Sequence, residues 1–374
     1  DTKQYQGRLE GGLALVKEGA GKQILNNLSS TTAPAIVADP SPGPVIASNY
    51  TGSTTINAGI LEIQSGVDIG DSSVVTLANI AGASLDVAGT SNNETIGGLS
   101  GGGTTGGNVN INTGNTLNVA NAAAASDTYA GVIAGLGGLT KAGDATSTQT
   151  LTGTNTYTGA TSIEGGKLLI SGDNASTEFT VGSGSTLELA SGFTIKGASN
   201  GSTTIKGDGA LLVSGNVSGQ ADSLKMQMNS GASIDVQANI TYGNGGDQWT
   251  GNLADLNVDG GIYGAANDII ANSLTGNGSI SMGSGTIVVG VDDGDGIFNG
   301  NLSRNYADAH VRKEGSGTQT VTGSVNMGAN GTVTVSEGTL IFNGISSGTF
   351  ATGTWTVENG GTLAGSGTLS GTAT

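Results

Sequence analysis

The sequence predicts an all-β solenoid, a chain wound into short strands that stack coil upon coil. Three observations predict it. Glycine supplies 69 of the 374 residues while proline supplies only 4. Short runs between the glycines alternate polar and aliphatic residues. The same set of short motifs also recurs along the chain, which is the mark of a repeat architecture.

The glycine content is the first element. Glycine at this level without a strict three-residue period, and with 4 prolines, does not build a collagen helix. Hydrophobic residues still make up 35% of the chain, so a long thin core is available and disorder is not the default. Aromatic residues are only 4% and charged residues 11%, a balance unlike that of an ordinary enzyme domain. Glycine is therefore read as the residue of abrupt corners, where positive φ angles are needed.

The strand pattern is the second. Thr332-Val-Thr-Val-Ser336 and Asn108-Val-Asn-Ile-Asn112 alternate with period two, which places the aliphatics on one face. Strands of about 4 to 6 residues are too short to stand alone and need a partner above and below. No segment sustains a capped apolar period of 3.6 residues, and Ala122 to Ala125 reads as a loop or packed corner. A sandwich or barrel is the competing all-β architecture, disfavoured by the scarcity of large aromatic core residues.

The repeats are the third. Gly11-Gly-Leu-Ala-Leu-Val-Lys17-Glu-Gly19, Gly137-Gly-Leu-Thr-Lys141-Ala-Gly143 and His310-Val-Arg-Lys313-Glu-Gly315 share a Lys-x-Gly core. An aromatic-x-Gly step precedes each, at Tyr5, Tyr129 and Phe298. Downstream stand Asn49-Tyr-Thr-Gly52 with Gly59-Ile-Leu61, and Asn155-Thr-Tyr-Thr-Gly159 with Gly166-Lys-Leu168. The repeat-like units run over about 5–90, 95–192 and 272–374, within one continuous solenoid spanning 1–374. Their spacing is unequal, as expected where loops or whole coils can be added without disturbing neighbours. All four prolines, Pro34, Pro40, Pro42 and Pro44, fall in 31–49, which reads as an inserted loop off the β wall. Residues 193–270, with Trp249 and several Met, are the least repeat-like.

Composition excludes whole classes of function. Without cysteine there is no disulfide, thiolate nucleophile or Cys-ligated zinc. A net charge of −17 opposes binding to nucleic acid or anionic lipid, since both are polyanions. No window approaches 18 consecutive apolar residues, so this segment holds no membrane-spanning helix. Its first residues, Asp1-Thr2-Lys3-Gln4, do not form an export signal.

Lys141-Ala-Gly143, Leu151-Thr-Gly153, Asn155-Thr-Tyr-Thr-Gly159 and Gly165-Gly-Lys-Leu168 together resemble the passenger-associated transport repeat of bacterial autotransporters. The copies around Lys17 and Lys313 extend the likeness. The Pro-rich insertion interrupts the first, and the third lacks the Asn-Thr-Tyr-Thr-Gly step. The resemblance implies a single-stranded, right-handed parallel β-helix, export across an outer membrane and display at the cell surface. It implies no reaction, since fold analogy does not assign function.

Candidate chemistry is sparse. His310 is the lone histidine, beside Arg312 and Lys313, and no nucleophile elbow accompanies it. Gly101-Gly-Gly-Thr-Thr-Gly106 matches a dinucleotide pattern by chance at this glycine content, with no helix following, and Gly21-Lys22 lacks the Ser or Thr of a phosphate loop. Asp292, Asp293 and Asp295 form the one dense carboxylate group. Their register departs from the standard calcium loop, so a solvated turn is the favoured reading and calcium the alternative. No catalytic, cofactor-binding or metal residue is assigned.

Both ends of the sequence cut the super-repeat partway and neither looks like a polar cap. Leu9, Leu13 and Leu15 at one end, with Leu363 and Leu369 at the other, are the expected interface. It would serve head-to-tail stacking of copies or the remainder of a longer chain. The expected function is a non-enzymatic extracellular structural protein, a stalk or filament segment at the bacterial surface. An adhesin that binds a host or cell-surface ligand through loops such as 31–49 is the alternative. A polysaccharide-cleaving β-helix enzyme ranks last.

Overall fold

The computed structural model describes residues 1–5, 9–26, 48–64, 69–89, 92–195, 202–219, 224–242, 249–264, 268–304, 308–346 and 353–373. These fall into two compact units, Asp1–Glu178 and Phe179–Thr374. Each is a parallel β-solenoid, and no helix occurs among the described residues.

In the first unit the chain visits three sheets in turn. One sheet stacks Thr2–Tyr5, Lys22–Leu25, Ile60–Ile63, Ser84–Val87, Asn108–Ile111 and Ile133–Gly135. The second stacks Leu15–Lys17, Thr54–Ile56, Val74–Leu77, Gly98–Gly101, Ser126–Tyr129, Thr148–Leu151 and Lys167–Ile170, and the third Asn93–Ile96, Thr116–Asn121, Gly138–Gly143 and Thr161–Ile163. Period-two alternation becomes columns of side chains. Leu61, Leu85, Val109 and Ile133 lie in register on successive strands, all buried. Each such side chain contributes roughly 1.5–3 kcal/mol by leaving water. A one-residue slip would turn a whole column outward, which pins the register.

The second unit follows the same rule. Its inward columns include Leu187, Leu211, Ile234, Leu256 and Leu274, again in register and buried. The sheets around them include the stack Ile269–Ala271, Gly285–Val289, Ala309–Lys313, Thr332–Val335 and Thr354–Val357, and a four-stranded stack Gly296–Phe298, Thr318–Val321, Gly338–Phe342 and Gly361–Ala364. The stretch 193–270, the least repeat-like part of the sequence, carries strands in the same ladders, such as Ala210–Val213, Ser233–Val236 and Asp255–Val258.

Corners are fastened by Asn and Asp. Asn108 Oδ1 accepts from the Val132 amide at 3.3 Å, Asp268 Oδ1 from Thr286 at 2.6 Å and Asn343 Oδ1 from Ser366 at 2.9 Å. Each ties one coil to the next by satisfying a backbone donor the ladder leaves over. Ala122 to Ala125 is a corner, with Ala124 at φ 57° and the Ala125 amide donating to Ala122 O at 3.0 Å. Of the Pro-rich insertion, residues 31–47 lie outside the described residues.

Candidate functional site: the repeat corner and the apolar coil edges

The Lys-x-Gly motif forms a caged ammonium. Lys17, Lys141 and Lys313 occupy inward positions of their strands and are buried. The following glycine takes a positive φ, 70° at Gly19, 91° at Gly143 and 63° at Gly315, and so turns the chain back around the side chain. Lys17 Nζ donates to Glu18 O at 2.8 Å, Gly19 O at 2.6 Å and Ala58 O at 2.9 Å. Lys141 Nζ donates to Ala142 O at 2.5 Å, Ser147 Oγ at 2.9 Å and Gly165 O at 2.8 Å. Lys313 Nζ donates to Glu314 O and to Gly315 O at 2.7 Å. At Lys17 and Lys141 three donors meet three oxygens, which satisfies an ammonium without a carboxylate partner. Ala58 and Gly165 belong to the next coil, so the first two cages also bind coil to coil. Burial pushes the Lys141 amine down to about 8, partly opposed by Asp144, and it remains charged at pH 7. Burial also lowers Lys313, against the carboxylates of Asp293, Asp295, Glu337 and Glu314.

Beside the cage sits a buried tyrosine. Tyr50 Oη lies 2.5 Å from Thr54 Oγ1, which lies 2.8 Å from Ser73 Oγ. Tyr157 Oη lies 2.7 Å from Thr161 Oγ1, which donates to Ser176 Oγ at 3.1 Å. The register equates Thr54, Thr161 and Val333, because they stand opposite Leu15, Leu139 and Val311, two residues before the partners of the caged lysines. In the third copy the threonine position is Val333, which is buried and has no hydroxyl to offer.

Burial raises the ionisation of Tyr50, Tyr129, Tyr157 and Tyr242 above the ordinary phenol value of 10.0. A raised folded value holds the proton that the unfolded chain would release. The stability this contributes is complete below pH 10.0 and is lost as pH rises toward the folded values. The phenolate absorbance of these four buried tyrosines is expected to appear together with loss of the β signal in circular dichroism as pH climbs past 10. Early ionisation of all tyrosines with the fold intact would contradict their burial.

Two residues the sequence did not single out complete the repeat. Gln149 and Gln319 are buried and reach two coils back: Gln149 Nε2 donates to Leu99 O at 2.8 Å while Gln149 Oε1 accepts from the Leu99 amide at 3.2 Å. Gln319 does the same to Leu274, at 2.9 and 3.1 Å. Each side-chain amide stands in for a ladder pairing, so the backbone is satisfied where adjacent strands splay. The sequence signal is the twin triplet Thr148-Gln149-Thr150 and Thr318-Gln319-Thr320.

The carboxylates of Asp292, Asp293 and Asp295 serve separate partners. Asp293 accepts from the Ser316 amide at 2.6 Å and Asp295 from Thr318 at 2.5 Å, while Asp292 takes the Ser230 hydroxyl. No group of three or more His, Asp or Glu side chains able to hold a metal occurs among the described residues. His310 lies on the outer side of its strand, with Nδ1 2.9 Å from Thr332 Oγ1.

Of the expected interface residues, Leu9 and Leu15 line one cavity of about 520 Å³ with Tyr5, Leu25 and Leu61. Leu13 stands outside it, 42% exposed. Leu363 and Leu369 line a second cavity of about 210 Å³ against Phe342.

The model of the passenger-associated transport repeat matches residues 45–63, 139–170 and 311–342, which contain the Tyr50, Tyr157 and Met327 positions and two of the caged lysines. The chain is also 34% identical over 143 residues to the adhesin BmaC autotransporter of Brucella suis biovar 1 (strain 1330). That similarity covers 38% of this chain and 4% of the relative. No solved structure matches the chain. With its repeats and its parallel coils accounted for, the chain is a parallel β-solenoid that carries three matches to the passenger-associated transport repeat and is similar over part of its length to an autotransporter adhesin.

Proposed function

We propose that this segment is an extracellular, surface-displayed structural element, a stalk or filament piece that supplies reach and protease resistance rather than chemistry. The observation that carries the reading is the caged repeat. Its buried polar groups, from the lysine ammoniums to the glutamine amides, are spent on holding coil to coil. Side chains committed to backbone oxygens and amides are not available as nucleophile, acid or base. The apolar edges at Leu9, Leu13 and Leu15 and at Leu363 and Leu369 fit contact with a further coil, either of a second copy or of a longer chain. Such a contact satisfies strand-edge groups at a spacing of about 4.8 Å per coil. The purified chain is expected to resist proteinase K and to associate at micromolar concentration. Leu9→Asp with Leu363→Asp should abolish that association in light scattering. A wild type that stays monomeric would replace stacking of copies by the longer-chain reading, and rapid digestion of the folded chain would overturn the structural role.

A second reading is ligand binding, favoured by the likeness to a protein named as an adhesin. It places recognition on the outer surfaces of the coils.

A further inference from the structure

Strand Gly138–Gly143 is entered through the corner Gly135-Leu136-Gly137. The backbone there is locked to the previous coil, with the Gly137 amide donating to Ile111 O at 2.9 Å and Gly138 to Asn115 O at 2.9 Å. On this fixed corner Leu136 is 62% exposed. A single exposed leucine carries no meaning alone. Here it forms the wall of a groove of about 320 Å³ whose floor is made by Thr116, Gly138, Thr140, Ala160 and Ser162.

We propose that this groove binds an uncharged oligosaccharide, a reading that rests on the ligand-binding function above. Three features select that ligand. The residues lining the groove carry no charged side chain, in a chain whose net charge is −17, so nothing there recognises an ionic group. The hydroxyls of Thr140 and Ser162 stand in register on adjacent strands, with Thr116 beside Gly138 one coil back. Among the described residues no hydrogen bond is made by these three hydroxyls, so each offers a donor and an acceptor to a ligand hydroxyl. Leu136 and Ala160 supply the apolar surface on which the C–H face of a sugar ring rests. Size excludes a folded protein. Three coils at about 4.8 Å and two outward positions give a floor of roughly 100 Å², against the roughly 800 Å² per partner of a stable protein interface. The volume instead falls at the small end of small-ligand sites, which begin near 300 Å³. Gly138 keeps the floor low. A Cβ there would lie 3.0 Å from Ala160 O and 3.7 Å from Thr116 Oγ1.

The test is saturation-transfer NMR on the full chain with cellohexaose, maltohexaose, mannohexaose and chitohexaose, and with hexagalacturonate as the charged probe. Transfer is expected to at least one neutral hexamer with millimolar affinity and not to hexagalacturonate. Leu136→Asp and Thr140→Val should each weaken it at least tenfold. Both residues face outward, and an unchanged circular dichroism spectrum verifies that each variant is folded. Absence of transfer to every neutral hexamer, equal transfer to hexagalacturonate, or binding untouched by both variants would overturn the proposal. The structural role is read separately, by proteolysis and light scattering, and survives any of those outcomes.

Discussion

Gly300→Ala is expected to destabilise the second unit by about 3–5 kcal/mol, whereas Gly12→Ala changes stability by less than about 0.5 kcal/mol. The difference is steric. A Cβ on Gly300 would stand 2.0 Å from the carbonyl oxygen of Gly278, one coil back, while a Cβ on Gly12 meets nothing within 4 Å. Gly300 belongs to a file in which each glycine faces the carbonyl of the one before: Gly278 on Gly260, Gly300 on Gly278, Gly323 on Gly300 and Gly344 on Gly323. The obstacle is backbone, so no side chain can swing away, and relief would require parting two coils. The measurement is urea unfolding followed by far-ultraviolet circular dichroism, which reads both units, and by the fluorescence of Trp249 and Trp355, both buried in the second. Equal midpoints for the two variants would show that the coils yield at that corner. The first unit holds the same device: a Cβ on Gly159 would meet Gly137 O at 2.2 Å, whereas the nearest atoms to one on Gly103 belong to the Asn79 side chain.

Such files were visible in the sequence only as glycine content. Which glycine tolerates a Cβ depends on what the previous coil places beside it, some 20 residues away, and local spacing does not encode that. The inward columns were legible because period-two alternation is local: Thr332-Val-Thr-Val-Ser336 announces that Val333 and Val335 face inward, and they are buried. The lysines were legible as a recurring triplet, but not as cages. A buried lysine is ordinarily expected beside an acid, and here its partners are carbonyl oxygens, which every residue possesses. Gln149 and Gln319 escaped because their partners, Leu99 and Leu274, lie 50 and 45 residues earlier. The third copy lacks the hydroxyl pair because the register puts Val333 where Thr54 and Thr161 stand, a change that keeps the position buried and discards the hydroxyl.

The cage makes the other large prediction. Lys141→Met should cost the first unit about 3–5 kcal/mol, because it removes the cation and leaves its cage behind. Replacing a whole buried ion pair by hydrophobic residues is often neutral, since both polar partners go. Here the partners Ala142 O and Gly165 O belong to the backbone and stay, desolvated and facing a thioether. Each orphaned oxygen costs about 1–3 kcal/mol, which outweighs the gain from burying a methionine of similar length. Lys141→Arg offers no rescue, because a planar guanidinium does not fit three oxygens arranged around a tetrahedral ammonium. Lys167→Met, on the outer side of its strand, serves as the control and should stay within about 0.5 kcal/mol. Denaturation followed by far-ultraviolet circular dichroism gives the magnitude. Hydrogen exchange adds the location, with protection lost first in Gly138–Gly143 and Thr161–Ile163, the paired strands that the Lys141 cage holds together. A Lys141→Met chain as stable as the Lys167→Met control would mean that the carbonyls find other donors and that the cage does not hold the coils.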